Sequence, residues 1–348
     1  MNLFLYIYTS LIVGFSLLPL VRNDYWIFRV FDYPRLQKLV LVMLCLFFWV
    51  TYFSGPVLNY WVGISVLSII ITHLITLILP FTPLSKKQVL NASANLPDQA
   101  ISIMISNVFE DNLNTQGCLA EIRKADPDVV ILLETNKRWD QETSTLENEY
   151  PNCVKVPLEN TYGLILYSKF ELADTQVKYL VQDDIPSIHT KLRLRNGQQV
   201  QLYAVHPTPP VPTENVRSTE RDKELLLVAD LAKASLIPVI VAGDLNDVAW
   251  SHTTELFLKM SGLLDPRHGR GFFNSFHAHY PFLRFPLDHA FSSEHFKLRE
   301  IRRLSNFGSD HFPIYLKLQY EVQAADQQEP LHPDADEVQE AEEKKTKI

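Results

Sequence analysis

Residues 1–21 contain no Asp, Glu, Lys or Arg, and neither do residues 39–85. A bilayer core is crossed by a helix of about 20 predominantly apolar residues. The first stretch has the length of one span. The second, interrupted by Gly55-Pro56 and Asn59, has the length of two, which predicts helices at about 3–21, 38–54 and 60–82. A cleaved signal peptide would need a basic start and a small-x-small cleavage site. The first stretch has neither, and two more spans follow it. The expectation is a three-helix transmembrane anchor over residues 1–83. His73 lies within the third span and is assigned no role.

Sidedness follows from the cations. Arg22, Arg29, Arg35 and Lys38 lie in the first loop, Lys86 and Lys87 follow the third helix, and the loop near 54–60 has none. The positive-inside rule then places the N-terminus outside and everything beyond residue 83 in the cytoplasm. Residues 26–31 (WIFRVF) are amphipathic and suited to a membrane interface.

Residues 84–100 read as a polar linker. From 101 to 320 short apolar runs alternate with amphipathic helical stretches. Strands are predicted at 101–107, 129–134, 163–168, 188–194, 200–206, 239–244, 287–291 and 312–318, and helices at 115–124, 137–147, 219–234 and 253–260. Asn196-Gly197 between two of the strands is a hairpin signal. Strands alternating with helices, plus a hairpin, indicate an α/β domain with mixed sheets. Residues 321–348 carry nine acidic and three basic groups and no aromatics, which predicts a disordered acidic tail. The formal net charge of −8 disfavours a sequence-blind nucleic-acid binder, which needs a cationic field. Three scattered cysteines make neither a disulfide framework nor a thiolate zinc site.

Polar residues gather at the C-terminal ends of the predicted strands: Asn107, Glu134, His206, Asp244 with Asn246, and Asp288; Asp310-His311 opens the last strand. Open sheets bind ligands at strand ends. A carboxylate directly after a buried aliphatic run is costly unless it is paired or holds a metal. Asp, Glu and Asn without cysteine are hard oxygen ligands suited to Mg²⁺ or Mn²⁺. Histidines beside them provide donors for a phosphoryl oxyanion and acids for a leaving oxygen. No G-x-S-x-G and no Walker lysine loop is present. Metal-assisted attack of water on a phosphate ester fits this set best.

The ordered set Asn107, Glu134, His206-Pro207, Gly243-Asp244-Leu245-Asn246, Leu287-Asp288-His289 and Ser309-Asp310-His311 resembles the endonuclease/exonuclease/phosphatase superfamily. That family includes pancreatic deoxyribonuclease, abasic-site endonucleases, inositol polyphosphate 5-phosphatases and neutral sphingomyelinases, and it has membrane-anchored bacterial members. The resemblance covers residues 101–320. It implies two mixed β-sheets packed as a sandwich with outer helices, a four-layer α/β/β/α catalytic domain behind the all-α anchor. It also implies roles. Glu134 would ligate Mg²⁺ (or Mn²⁺), with Asn107 and Asp310 completing the shell. Asp244 would activate water and Asn246 hold the phosphate. His311 would stabilise the phosphoryl oxygens with Asp288 fixing its tautomer, and His206 would serve the leaving group. Tyr162-Gly163 resembles the strand opening near the substrate. Two departures stand out: Leu245 replaces the usual Phe, and His289 replaces the usual Tyr, with no role assigned.

Residues 267–285 (RHGRGFFNSFHAHYPFLRF) combine six aromatic rings with Arg267, Arg270 and Arg284 just before Asp288. Aromatics bury lipid chains, and arginines bind phosphate bidentately. Arg284 is therefore a candidate substrate contact, in a wall or membrane-facing lip. His189, His252, His268, His277 and His279 read as structural or solvated. The resulting expectation is a multi-pass protein of the bacterial inner membrane that cleaves a lipid or lipid-linked phosphate ester, with the bilayer as partner. An endonuclease on DNA or RNA and a catalytically dead membrane scaffold are the alternatives. Oligomeric state is not legible.

Overall fold

The computed structural model describes residues 1–347. Its N-terminal part is a bundle of α1 (Asn2–Leu17), a short α2 (Trp26–Arg29), α3 (Arg35–Tyr52) and α4 (Val57–Ile78). With their 3₁₀ extensions, Asn2–Leu20, Arg35–Tyr52 and Val57–Phe81 are long and apolar enough to cross a membrane. Leu5, Val42, Cys45, Trp49, Leu67 and Leu74 form the bundle's interior. Its outside is also apolar, with Phe47, Leu58 and Trp61 more than half exposed, as a helix hydrophobic all round requires.

The second part opens with β1 (Ala100–Asn107), α5 (Thr115–Ala125), β2 (Val129–Leu133), α6 (Lys137–Thr143), β3 (Asn152–Val156), β4 (Leu164–Ser168) and β5 (Leu172–Lys178). It continues with β6 (Ser187–Arg193), β7 (Gln199–Val205), α7 (Thr219–Ala234), β8 (Val239–Asp244), α8 (His252–Ser261), β9 (Asp288–Ser292), β10 (Phe296–Arg303), β11 (Ile314–Tyr320) and α9 (Ala335–Thr346). Two mixed sheets result, ordered β10-β11-β1-β2-β4-β3 and β5-β6-β7-β8-β9. Only β1/β2 and β7/β8 are parallel. Alternation along β1 and β8 builds the layers. Ile101, Ile103 and Ile105 of β1 meet Ile240 and Ala242 of β8 between the sheets. Met104 turns out to α5 and α6, and Val239 and Val241 turn out to α7 and α8. The two parallel pairs put the exits of β1, β2, β7 and β8 at one end of the sandwich.

The structure departs from the sequence reading in three places. The acidic tail is not disordered: Asp334 and Glu337 form a capping box on α9. Lys344 and Lys345 then pair with Asp222 and Asp230 of α7 at 2.7 and 2.6 Å, and Glu337 with Lys259 of α8 at 2.7 Å. Local charge pairing replaces the missing apolar content. The linker is packed down as well, with Val89 fully buried between the sheets and Leu90 and Ala92 hydrogen-bonded to Leu298 of β10. Finally, β3, β5 and β10 are strands that the apolar pattern did not signal, and all three are sheet edges.

A separate cluster joins the bundle to the sandwich. Phe81 packs with Val248, Trp250, Phe285 and Leu287, and Tyr33 and Phe272 lie against it.

Candidate active site

Glu134 follows β2 directly and adopts a left-handed backbone with φ of 59°. A non-glycine residue held there stores strain, a feature concentrated at functional sites. Its neighbour makes the turn feasible: a Cβ on Gly163 would stand 1.7 Å from the Thr135 carbonyl oxygen, so only glycine lets β4 begin beside this exit. Asn107, at the end of β1, donates its amide to Glu134 Oε1 at 2.7 Å and to Asp244 Oδ2 at 3.2 Å. Its carbonyl oxygen accepts from the Phe109 N–H at 3.0 Å. Asn107 therefore bridges two carboxylates through its nitrogen, where the resemblance had implied an oxygen ligand.

Asp244 ends β8 behind Gly243, whose φ is 153° and whose missing Cβ would lie 1.9 Å from the Val205 carbonyl oxygen. That approach lets β7 and β8 deliver His206 and Asp244 side by side. Asp244 Oδ1 accepts from the Asn246 N–H at 2.9 Å, and its Oδ2 faces His311 Nε2 at 3.6 Å. On the far side of the ring, His311 Nδ1 lies 2.8 Å from Asp288 Oδ2, which makes Nδ1 the protonated nitrogen toward Asp288. Ser309 fixes this corner: its hydroxyl donates to the Asn107 carbonyl at 2.8 Å and accepts from the His311 N–H at 3.0 Å. Asn246, implied to hold the phosphate, borders the cavity beside Asp244. Its amide donates to the Pro207 carbonyl at 2.9 Å, and its own carbonyl accepts from Tyr33 and Arg221 at 3.0 and 2.8 Å.

These contacts separate the two site histidines. Asp288, Asp244 and Asp310 outweigh the burial of His311 and raise its pKa to about 10, whereas burial pushes His206 down to about 4. At neutral pH His311 is an imidazolium and His206 a neutral ring. The His206 ring lies 5.4 Å from that of Tyr162, tilted by 44°, and its Nδ1 is buried without a hydrogen-bond partner among the described residues. Burial, with Asp310 and Asp244 nearby, pushes Glu134 up to about 7 against the hydrogen bond from Asn107.

Four carboxylates thus face one imidazolium, and Asp288 Oδ1 and Asp310 Oδ1 are buried without a hydrogen-bond partner among the described residues. An excess of hard oxygen donors is the environment a divalent cation completes. Asp244, Asp288 and His311 bring one ligating atom each within 4.8 Å of one another. Asp288 engages His311 through Oδ2, which leaves its own Oδ1 and the Oδ1 of Asp310 as the carboxylate oxygens without a partner among the described residues.

Tyr162 hydrogen-bonds Glu214 through its hydroxyl and so braces the proline-rich loop rather than facing the site. Arg284 is not part of the cavity lining; its guanidinium stacks 4.9 Å over Phe312 and donates to the Ala278 carbonyl at 3.0 Å. His289 now has a place. Its Nε2 donates to the Asp247 carbonyl at 2.8 Å and its Nδ1 accepts from Arg267 at 2.6 Å. Arg267 in turn grips Asp265. Arg267 is therefore an interior strut and no part of a substrate wall.

The carboxylates open into a cavity of about 600 Å³, with Glu134, Asp244, Asp310 and His311 at its polar end. Phe276, Leu283 and Phe285 form one wall, and Pro209–Pro212 a second. The third wall was not found from sequence: Trp26, Val30, Tyr33 and Pro34 of the α1–α3 connection. The amphipathic pattern of residues 26–31 was its only signal.

The sequence model of the endonuclease/exonuclease/phosphatase family matches residues 106–311, and the chain belongs to that family. Solved structures share the fold. A humanized D. rerio TDP2 is 17% identical with a TM-score of 0.54, covering 64% of this chain and 99% of that one. The human Nocturnin catalytic domain is 17% identical with a TM-score of 0.52, covering 65% and 96%. An endonuclease/exonuclease/phosphatase from Beutenbergia cavernae is 17% identical with a TM-score of 0.51, covering 64% and 72%. No curated protein matches the sequence. Members of this family are generally metal-dependent phosphoesterases or nucleases.

Proposed function

We propose that this chain is a membrane-anchored hydrolase of amphiphilic phosphate esters, lipids or lipid-linked phosphates, that works with Mg²⁺ or Mn²⁺. The observation that carries the reading is the cavity: its polar end holds the carboxylates and His311, and a large part of its wall comes from the segment between two apolar helices. An acyl or prenyl chain leaving the bilayer there meets Trp26, Val30, Phe276 and Leu283 before its phosphate reaches Asp244. Glu134 and Asp310 would hold a divalent cation, which when bound would supply charge neutralisation at a phosphoryl oxygen.

The protein's own groups do the rest. Asp244, oriented by the Asn246 N–H, accepts a proton as water attacks phosphorus. The ester P–O bond breaks as the new one forms; the departing oxygen takes a proton from solvent, and Asp244 returns the proton it accepted to solvent, so the step balances. The His311 imidazolium, held by Asp288, stabilises charge on the phosphoryl oxygens. Asn107 keeps Glu134 and Asp244 apart at a fixed spacing. The cationic loop lies on the side of the bundle where the catalytic domain packs, so this reading puts the domain in the cytoplasm.

The test is full-length protein in phosphatidylcholine vesicles with Mn²⁺. It is offered phospholipid diesters, lipid phosphate monoesters and a polyprenyl pyrophosphate, with plasmid DNA and RNA in parallel arms. Cleavage of a lipid class by wild type and not by Asp244→Asn supports the reading. Nicking of DNA or RNA with every lipid left intact overturns it in favour of a nuclease.

A further inference from the structure

The α1–α3 connection lines a second cavity with its other residues. Arg29, Asp32 and Arg35 face a space of about 190 Å³ between the bundle and the catalytic domain, closed by Lys38 and His73 from the helices and by Trp250. This is several times the volume of about 30 Å³ that one water occupies in the liquid. None of these residues lines the catalytic cavity.

Within ion-pair distance the charge in this space does not balance, although Arg29 also borders a cleft that carries Asp24, Glu340 and Glu343. Arg29, Arg35 and Lys38 are 6%, 6% and 4% exposed. Among the described residues Asp32 is the one carboxylate within 4.0 Å of them, 2.8 Å from Arg35 and 3.7 Å from Arg29. Lys38 donates instead to the Phe31 carbonyl at 2.7 Å. Glu255 also borders the space, but Lys259 holds it at 2.8 Å. Two donors are left over: Arg29 Nε and Arg35 Nη1 are buried and have no hydrogen-bond partner among the described residues. An uncompensated buried cation is costly, and a buried donor without an acceptor adds to the cost. Guanidinium groups present rigid forks that match phosphate oxygens.

We infer that this cavity binds the phosphate group of an anionic phospholipid, at a site separate from the catalytic one. Its position at the end of an apolar bundle makes a lipid headgroup the source, since basic pockets between membrane helices take such groups. The same bound group would steady the catalytic cavity. The Asp32 carbonyl accepts from Trp250 Nε1 at 2.9 Å, and the next residue, Tyr33, lines the catalytic cavity and hydrogen-bonds Asn246 at 3.0 Å.

Native mass spectrometry of the full chain in detergent tests this without any activity measurement. Wild type offered equal phosphatidylglycerol and phosphatidylcholine is expected to retain one phosphatidylglycerol preferentially. Arg29→Gln with Arg35→Gln is expected to lower that retention about tenfold or more. Arg29→Lys with Arg35→Lys, which keeps the charge, is expected to recover part of it. A parallel arm reads the thermal midpoint with inorganic phosphate alone. Stabilisation of wild type there, absent from the Gln variant, supports the anion site and identifies free phosphate as an equal occupant. Wild type that neither prefers phosphatidylglycerol nor is stabilised by phosphate overturns the inference, whether or not the variants fold. A folded Gln variant that retains phosphatidylglycerol as wild type does overturns it too. Either result leaves the hydrolase reading to its own assay.

Discussion

Asp288→Asn separates two jobs that the carboxylate of Asp288 is able to perform. In the structure it is the hydrogen-bond partner of His311 Nδ1 at 2.8 Å, fully inside the protein. It is also one of three residues whose ligating atoms gather within 4.8 Å. If its work is to hold the imidazolium, replacement by the neutral isostere removes one buried charge-assisted hydrogen bond, about 1.5–3 kcal/mol. At about 1.4 kcal/mol per decade this predicts a 10- to 150-fold fall in kcat, with KM changed little. Turnover of bis(p-nitrophenyl) phosphate with Mn²⁺ measures it. The upward shift of the thermal midpoint by Mn²⁺ is expected to persist in the variant, because the ligands of that reading are Glu134 and Asp310. A double variant with His311→Asn is expected to be no slower than His311→Asn alone, since the two residues act as a unit. Loss of the Mn²⁺ shift together with activity would show Asp288 to be a metal ligand. Unchanged kcat would show that His311 is oriented by something else.

The other expectations are briefer. Glu134→Gln should abolish the Mn²⁺ shift and cost at least about a hundredfold in turnover, measured on the same two assays. Gly163→Ala drives a Cβ to 1.7 Å from the Thr135 oxygen and should destabilise the fold by about 1–3 kcal/mol in a denaturant titration. Trp26→Ala strips the cavity wall and should lower kcat/KM about tenfold on a long-chain lipid phosphate while sparing its short-chain, water-soluble analogue. His189 is buried, and its pKa is held down to about 4 by burial and then by Lys178. Its unfolded form takes a proton near 6.5, so the unfolded chain binds more protons between those values and stability falls as pH drops through that window. His189→Gln should remove up to about 3 kcal/mol of that decline in unfolding curves taken between pH 7 and pH 4.

What the sequence showed was the part with one dominant physical cause. Uncharged stretches marked α1, α3 and α4, and aliphatic runs ending in a carboxylate or amide marked β1, β2 and β8 together with their site residues. The edge strands β3, β5 and β10 escaped because they carry no such run. β5 exposes Asp174, Thr175 and Gln176, and β10 carries Arg299, Glu300, Arg302 and Arg303 along its outer half, which protects an edge and hides it from an apolar pattern. The tail escaped for another reason. Composition registers nine acids, but not that Lys259 and His252 of α8 stand ready to meet Glu337 and Glu340. Long-range pairing also reassigned Arg267. Beside aromatics in sequence it reads as a phosphate ligand; Asp265 two residues away holds it, and only the fold brings His289 to it.

The N-terminal helical bundle also shapes the candidate site. Tyr33 packs edge-on against Phe285 with centroids 5.5 Å apart and hydrogen-bonds the carbonyl of Asn246, two residues from the Asp244 carboxylate. Arg221 grips the same carbonyl from α7 while pairing with Asp222 and Asp247. The loop that follows Asp244 is thus held from one side by the sandwich and from the other by the connection between two apolar helices. A chain cut after residue 83 would keep Asp244 and its strand. It would lose the Tyr33 contact, one cavity wall and the Trp250–Asp32 bond at once. Interactions that share a backbone segment fail together rather than additively, so the soluble part alone should hydrolyse even a water-soluble ester more slowly than the full chain.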